Sequence, residues 1–211
     1  YETVDALDIA LIQDCLNSVI HSGSCLLPEY DFTTKTRTLA ARKLDVSDRG
    51  FVIMEGLHAL NPIFTRDLPE GSTIKLYVSV KQQIKDINGE VISPMDIRLV
   101  RRISRDIRSR DTMPERTIAM WDNVVAGEDK YIRPYRLSAD YTVNSIHIYE
   151  RVCCAGLSFR FCANPGDNPC YRKARDLDAR LMRFEPIDAE LVPANSMLRE
   201  FLGPKVENGT N

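Results

Sequence analysis

A chain of 211 residues can fill one large domain, or a domain with an appendage. Its 44% hydrophobic content allows a sizeable core, and 28 Lys plus Arg against 30 Asp plus Glu point to no polyanionic partner. No stretch approaches the ~20 apolar residues of a membrane-spanning helix, so no membrane role is expected.

Six cysteines (15, 25, 153, 154, 162 and 170) form neither two Cys-x-x-Cys pairs nor the density of a secreted scaffold. Adjacent Cys153 and Cys154 would make a poor disulfide, so free thiols in a reducing cytoplasm are expected. Nothing at the start has the basic-then-apolar pattern of a signal segment, and Asn208-Gly209-Thr210 therefore reads as a frayed tail rather than a glycosylation site.

In chain order, Val4, Leu7, Leu11 and Ile12 keep helical spacing and predict a helix from about Val4 to Ile20. Thr3 or Asp5 can cap it, and Gly23 ends it. An α/β domain ordinarily opens on a strand, so residues upstream of Tyr1 are expected. Glu29 to Arg37 mixes aromatics, hydroxyls and cations without periodicity and reads as a loop. It is either plain surface or a binding loop in which Tyr30 and Phe32 stack on a flat ligand while Lys35 or Arg37 faces its polar edge. Lys43 to Val46 suggests a short edge strand.

Phe51-Val52-Ile53-Met54 is an unbroken apolar run after Ser47-Asp48-Arg49-Gly50, the pattern of a strand buried on both faces of a parallel sheet. Glu55 then stands at the carboxyl end of that strand, where open α/β folds place their ligands, and Gly56 lets the chain turn. Glu55 is a candidate for a hydrated metal ion or a substrate hydroxyl, or else an ordinary surface acid. Ile74 to Val80 alternates and predicts a strand, and Asn88-Gly89 predicts a turn.

Asp96 to Arg110 is the most charged element. Read as a helix, it places Arg98, Arg102 and Arg105 on one face and Val100, Ile103 and Ile107 on an apolar side. Such a stripe suits bidentate phosphate recognition, or is a solvated face paired with Asp96, Asp106 and Asp111. Nucleic acid is not the expected partner, because acids interleave the arginines and no aromatic accompanies them. Pro114 opens a further amphipathic helix expected to end at Gly127. Lys130, Tyr131 and Arg133 form a second polar-aromatic cluster, and Ala139 to Ser145 predicts a short strand. Residues 151 to 170 read as irregular, with Asn164 to Pro169 a loop. Tyr171 to Phe184 reads as a helix, and Asn195 can cap a last one over Ser196 to Leu202.

Four landmarks occur in one order: Pro28-Glu29-Tyr30-Asp31-Phe32 with Arg37, the strand ending in Glu55-Gly56, Arg101-Arg102-x-x-Arg105-Asp106, and Ala139-Asp140 before a strand. With them the chain resembles the uridine kinase branch of the P-loop nucleoside kinases, in the phosphoribulokinase/uridine kinase group, over Tyr1 to about Glu150 and again from about Phe184 to Gly203. Glu55 to Pro62 and Asn195 to Phe201 look more like a bacterial uridine kinase-like subfamily than the housekeeping enzyme.

The resemblance implies an α/β P-loop kinase-like parallel sheet with flanking helices and an arginine-rich lid helix, incomplete at its N-terminus. It implies a truncated nucleoside kinase-like domain over 1–150 and a mostly helical extension over 151–211, with 204–211 disordered. It further implies ATP and Mg²⁺ as cofactors, and a nucleoside acceptor. Tyr1 and Glu2 would hold its ribose, and Tyr30 and Phe32 would flank its base. Lys35 stands where housekeeping enzymes carry a base-contacting histidine. Glu55 would assist at the magnesium, Arg102 would reach the acceptor side, and Arg105 and Arg110 would close over the donor phosphates. Around Thr112 another lid arginine of the family is replaced.

Gly-x-x-x-x-Gly-Lys-Ser/Thr is absent: none of the ten glycines is followed by lysine. The family's aspartate base is also expected upstream of Tyr1, so the chain reads as the C-terminal two-thirds of a kinase domain and is expected to be inactive alone. A non-catalytic nucleoside- or nucleotide-binding regulatory module is the alternative. A homo-oligomer interface on the C-terminal helices is a further expectation.

Overall fold

Helix α1 (Ile9–Ser22) is fixed by its two ends. Asp8 is the N-cap, its carboxylate accepting the Leu11 N–H at 3.1 Å, and Gly23 closes the helix in the left-handed region at φ 72°. The expected start at Val4 is corrected. Val4–Ala6 form a separate 3-10 turn capped by Thr3, and Leu7 is extended, so the helix waits for Asp8. The computed structural model describes residues 3–31, 34, 36–47, 49–86, 88–89, 91–147, 149 and 169–205, with only the backbone of Ala40 and Ala41. Tyr1, Glu2, Phe32, Lys35, the loop expected before Pro169 and the tail from Val206 lie outside the described residues.

Strands β1 (Ser24–Asp31) and β2 (Thr36–Asp45) form an antiparallel hairpin with Ser24 opposite Asp45 and Asp31 opposite Thr36. This corrects the loop expected over Glu29 to Arg37 and the short strand expected at Lys43. Pro28 has no N–H to give the ladder, and the register shifts between Leu27 and Glu29, which breaks the alternation a strand normally shows in sequence. The Asp31 carboxylate accepts the Thr34 N–H at 3.2 Å inside the turn.

The apolar run Phe51 to Met54 is not a strand. Phe51 is 83% exposed and Ile53 81%, and the run pairs with no described strand. An apolar sequence is buried only where neighbouring elements cover it and take its backbone hydrogen bonds, and among the described residues none does. Gly56 does turn the chain, its carbonyl accepting the Ala59 N–H at 3.1 Å, and a 3-10 turn (Pro62–Phe64) follows, capped by Asn61.

Strand β3 (Leu76–Ser79) pairs with β6 (Tyr141–Asn144). Lys75 O accepts from Tyr141 N–H and Ser79 O from Ser145 N–H, so both chains advance together and the pair is parallel. Between them β4 (Ile84–Lys85) and β5 (Val91–Ile92) make a small hairpin around Gly89, at φ 82°, as Asn88-Gly89 predicts. The fold is α/β, with a parallel strand pair and helices.

Helix α2 (Pro94–Ser109) opens on a capping box between Ser93 and Asp96. It buries Ile97, Val100 and Ile103, whereas Ile107 is 41% exposed, which corrects its expected place on the apolar side. Asp106 is buried instead. Helix α3 (Pro114–Tyr131) runs past Gly127, expected as its end, and the Ile132 N–H still reaches Glu128 O at 3.0 Å. A helical glycine lowers stability but does not stop a helix whose apolar stripe continues. Helix α4 (Pro169–Leu181) buries Ala174, Leu177 and Leu181. The last helix, α5 (Arg199–Leu202), starts from Leu198 and not from Asn195, which sits in a preceding turn.

Contacts divide the chain into two compact units, Tyr1–Tyr77 with Val125–Thr142 and Val78–Val124 with Val143–Asn211. In the first, Phe64 is 2% exposed and the Gln13 side-chain amide donates to Ile63 O at 2.7 Å, tying the 3-10 turn to α1. In the second, ion pairs join α4 to its neighbours: Arg180 to Asp96 at 2.8 Å and Lys173 to Asp122 at 2.7 Å.

Candidate functional site

In the second unit the arginines of α2 and its C-cap, Arg110, take different partners. Arg101 donates to Ser145 O at 2.8 Å and Arg108 to Phe201 O at 2.9 Å, so both are tied to backbone carbonyls. Arg102 and Arg110 instead meet one carboxylate. Arg102 Nε lies 3.6 Å from Asp106 Oδ2, and Arg110 Nη1 lies 3.3 Å from Asp106 Oδ1. The Thr117 hydroxyl, fully buried on α3, donates to Asp106 Oδ2 at 3.0 Å. One acid thus orients two guanidinium groups, one a turn before it and one a turn after, and neutralises part of their repulsion. Arg110 stays 53% exposed, and Arg105, 32% exposed, lies 3.5 Å from Glu200.

Arg98, Arg102 and Arg105, expected on one face, meet different partners: Arg98 donates to Met95 Sδ at 3.7 Å, whereas Arg102 meets Asp106 and Arg105 meets Glu200. The pairing of the helix with Asp106 was legible in the spacing, but Thr117 and Glu200 were missed. Thr117 gives no signal because its partner lies on another helix. Glu200 could have been found in the Asn195 to Phe201 motif.

In the first unit, Tyr30 and Arg37 face each other across the hairpin, Tyr30 half-exposed. Arg37 forms an ion pair with Asp8 at 2.5 Å. The Asp8 carboxyl is held below its ordinary value, first by the Leu11 N–H and then by the Arg37 guanidinium. Glu55 is exposed and lines an open cavity of about 700 Å³ together with Leu11, Ile12, Leu16, Leu27 and Phe51 to Met54. Burial and the neighbouring Cys25 raise the Cys15 thiol in the same cavity wall, and Cys15, Cys25 and Cys170 are all free.

Among the described residues no group of three potential ligands could hold a metal on its own. Magnesium normally keeps several waters and uses one or two carboxylates with substrate phosphates, so the single exposed carboxylate of Glu55 is compatible with it. No helix among the described residues is long and apolar enough to cross a membrane.

Residues 1–150 match the model of the phosphoribulokinase/uridine kinase family. The chain belongs to this family. Within it, the chain is similar to the uridine kinases of Lactobacillus helveticus (29% identical over 144 residues, 68% of this chain and 60% of that one) and Streptococcus agalactiae serotype III (30%, with the same shares). The uridine kinase of Ureaplasma parvum serovar 3 is 25% identical over the same length. The chain spans about 60% of the length of these uridine kinases. Of the residues expected at the site from the sequence, Tyr30, Arg37 and Glu55 fall in the first unit and Arg102, Arg105 and Arg110 in the second.

Proposed function

We propose that the protein phosphorylates the 5′-hydroxyl of a uridine-like nucleoside with ATP and Mg²⁺. The observation that carries this reading is the pair of arginines, Arg102 and Arg110, ordered on the buried Asp106 of a family whose relatives are uridine kinases. Charge in phosphoryl transfer is spread over phosphate oxygens, so catalysis consists mainly of positioned positive groups.

Arg102 serves the acceptor side, and Arg105 and Arg110 close over the donor phosphates. Tyr1, Glu2, Tyr30, Phe32, Lys35 and Arg37 hold the nucleoside, with Lys35 setting the base preference. Magnesium, held with the help of Glu55, would supply further charge neutralisation at the donor phosphates. ATP as donor fits a cytoplasmic enzyme. The 211 residues carry no Gly-x-x-x-x-Gly-Lys-Ser/Thr, and on that ground this chain by itself transfers phosphate poorly. A second reading is a non-catalytic nucleoside- or nucleotide-binding regulatory module.

The test is transfer of labelled phosphate from ATP to a nucleoside panel, run on this chain and on any longer product of the same gene. Nucleoside monophosphate formed by the longer product, and lost in Arg102→Ala, is the expected result. Nucleoside binding without product in either protein would overturn the kinase reading in favour of the regulatory one.

A further inference from the structure

We propose that Glu200 is an internal counter-anion for Arg105, occupying its guanidinium until the donor phosphates displace it. The inference rests on the kinase reading above, in which Arg105 meets those phosphates.

Helix α5 is seated against α2 independently of this pair. Arg108 Nε donates to Phe201 O at 2.9 Å, and the Arg101 guanidinium lies 5.3 Å from the centre of the Phe201 ring. Phe201 and Leu202 are buried with Leu198 and Val192 in one apolar cluster. Gly203 follows at φ 90°, a backbone conformation that residues with a Cβ rarely adopt, and there the chain runs beside the Arg108 guanidinium. These contacts hold the backbone of Glu200 beside Arg105 whether or not the two charges pair.

The charge pair itself is loose. Arg105 Nη1 and Glu200 Oε1 are 3.5 Å apart, with side chains 32% and 51% exposed. Arg105 Nε is buried and has no hydrogen-bond partner among the described residues, so the guanidinium keeps donor capacity that Glu200 does not use. A polyphosphate offers more charge and several oxygens to that fork. An exposed pair of this kind is weak, so its removal should change phosphate affinity only about two- to five-fold.

Inorganic tripolyphosphate and Mg·ATP are titrated calorimetrically into the whole chain and into Glu200→Gln, Glu200→Asp, Arg105→Ala and the Glu200→Gln/Arg105→Ala double variant. Glu200→Gln should bind about two- to five-fold more tightly at low salt, with the gain shrinking as salt rises. Glu200→Asp should resemble the parent, and the gain should vanish in the double variant. Unchanged affinity in Glu200→Gln overturns the inference and leaves the kinase reading standing. Weaker binding that Glu200→Asp restores makes the residue structural and likewise overturns it. No binding of either phosphate compound by any form overturns the inference, and the kinase reading is then decided by the transfer assay on the longer product.

Discussion

A carboxylate that is 3% exposed costs free energy unless its oxygens are satisfied, and Asp106 meets that condition through Arg102, Arg110 and the Thr117 hydroxyl. Removing the hydroxyl while keeping the shape isolates its share. Thr117→Val should lower unfolding stability by about 1–3 kcal/mol in urea titrations, because it strips a donor from a buried charge. A change below a few tenths of a kcal/mol would mean that the two arginines suffice. At this scale the sequence exposed the arginines at positions 102, 105 and 110, since guanidinium groups at helical spacing are visible without a fold. It could not show which acid would be buried. Asp96, Asp106 and Asp111 look alike in sequence, yet Asp96 caps α2 and binds Arg180, Asp106 is enclosed, and Asp111 takes a positive φ of 46°.

Helix α1 shows how one side chain decides where an element begins. The apolar spacing from Val4 onward is helical, but the Asp8 carboxylate holds the Leu11 N–H and so sets the first turn. Because the folded carboxyl titrates below its ordinary 3.8, the cap stabilises fully above that value and its contribution is lost as pH falls through the lowered folded value. Thermal melts should therefore separate the parent from Asp8→Ala at neutral pH and draw the two together in strong acid. A gap independent of pH would assign the cap to something other than the ionised carboxylate. Elements carried by side-chain periodicity or turn chemistry, such as α2, β3 and the Asn88-Gly89 hairpin, could be read in advance. The β1–β2 hairpin could not, because Pro28 interrupts its alternation, and the Phe51 to Met54 run misled because burial is conferred by neighbours.

At the scale of the whole molecule, family and fold class were both legible, because ordered motifs survive where individual spans do not. The division into two units was not. The chain enters and leaves each unit at positions 77, 124 and 142, inside β3, α3 and β6, and no change in composition marks those points. That interleaving comes from the parallel β3–β6 pair, preceded by the bonded Lys75 and Asp140, which are 65 residues apart in sequence, whereas α1, β1 and β2 follow one another over short connections. Closing the long loop rather than the short turn costs about 2 kcal/mol more in chain entropy. The molecule should therefore assemble in an order set by that difference, the helix and hairpin of residues 9–45 first and the parallel pair late. Pulse-labelled hydrogen exchange during refolding should protect amides of 24–31 and 36–45 before those of 76–79 and 141–144, and the reverse order would mean that the long-range pairing nucleates the fold.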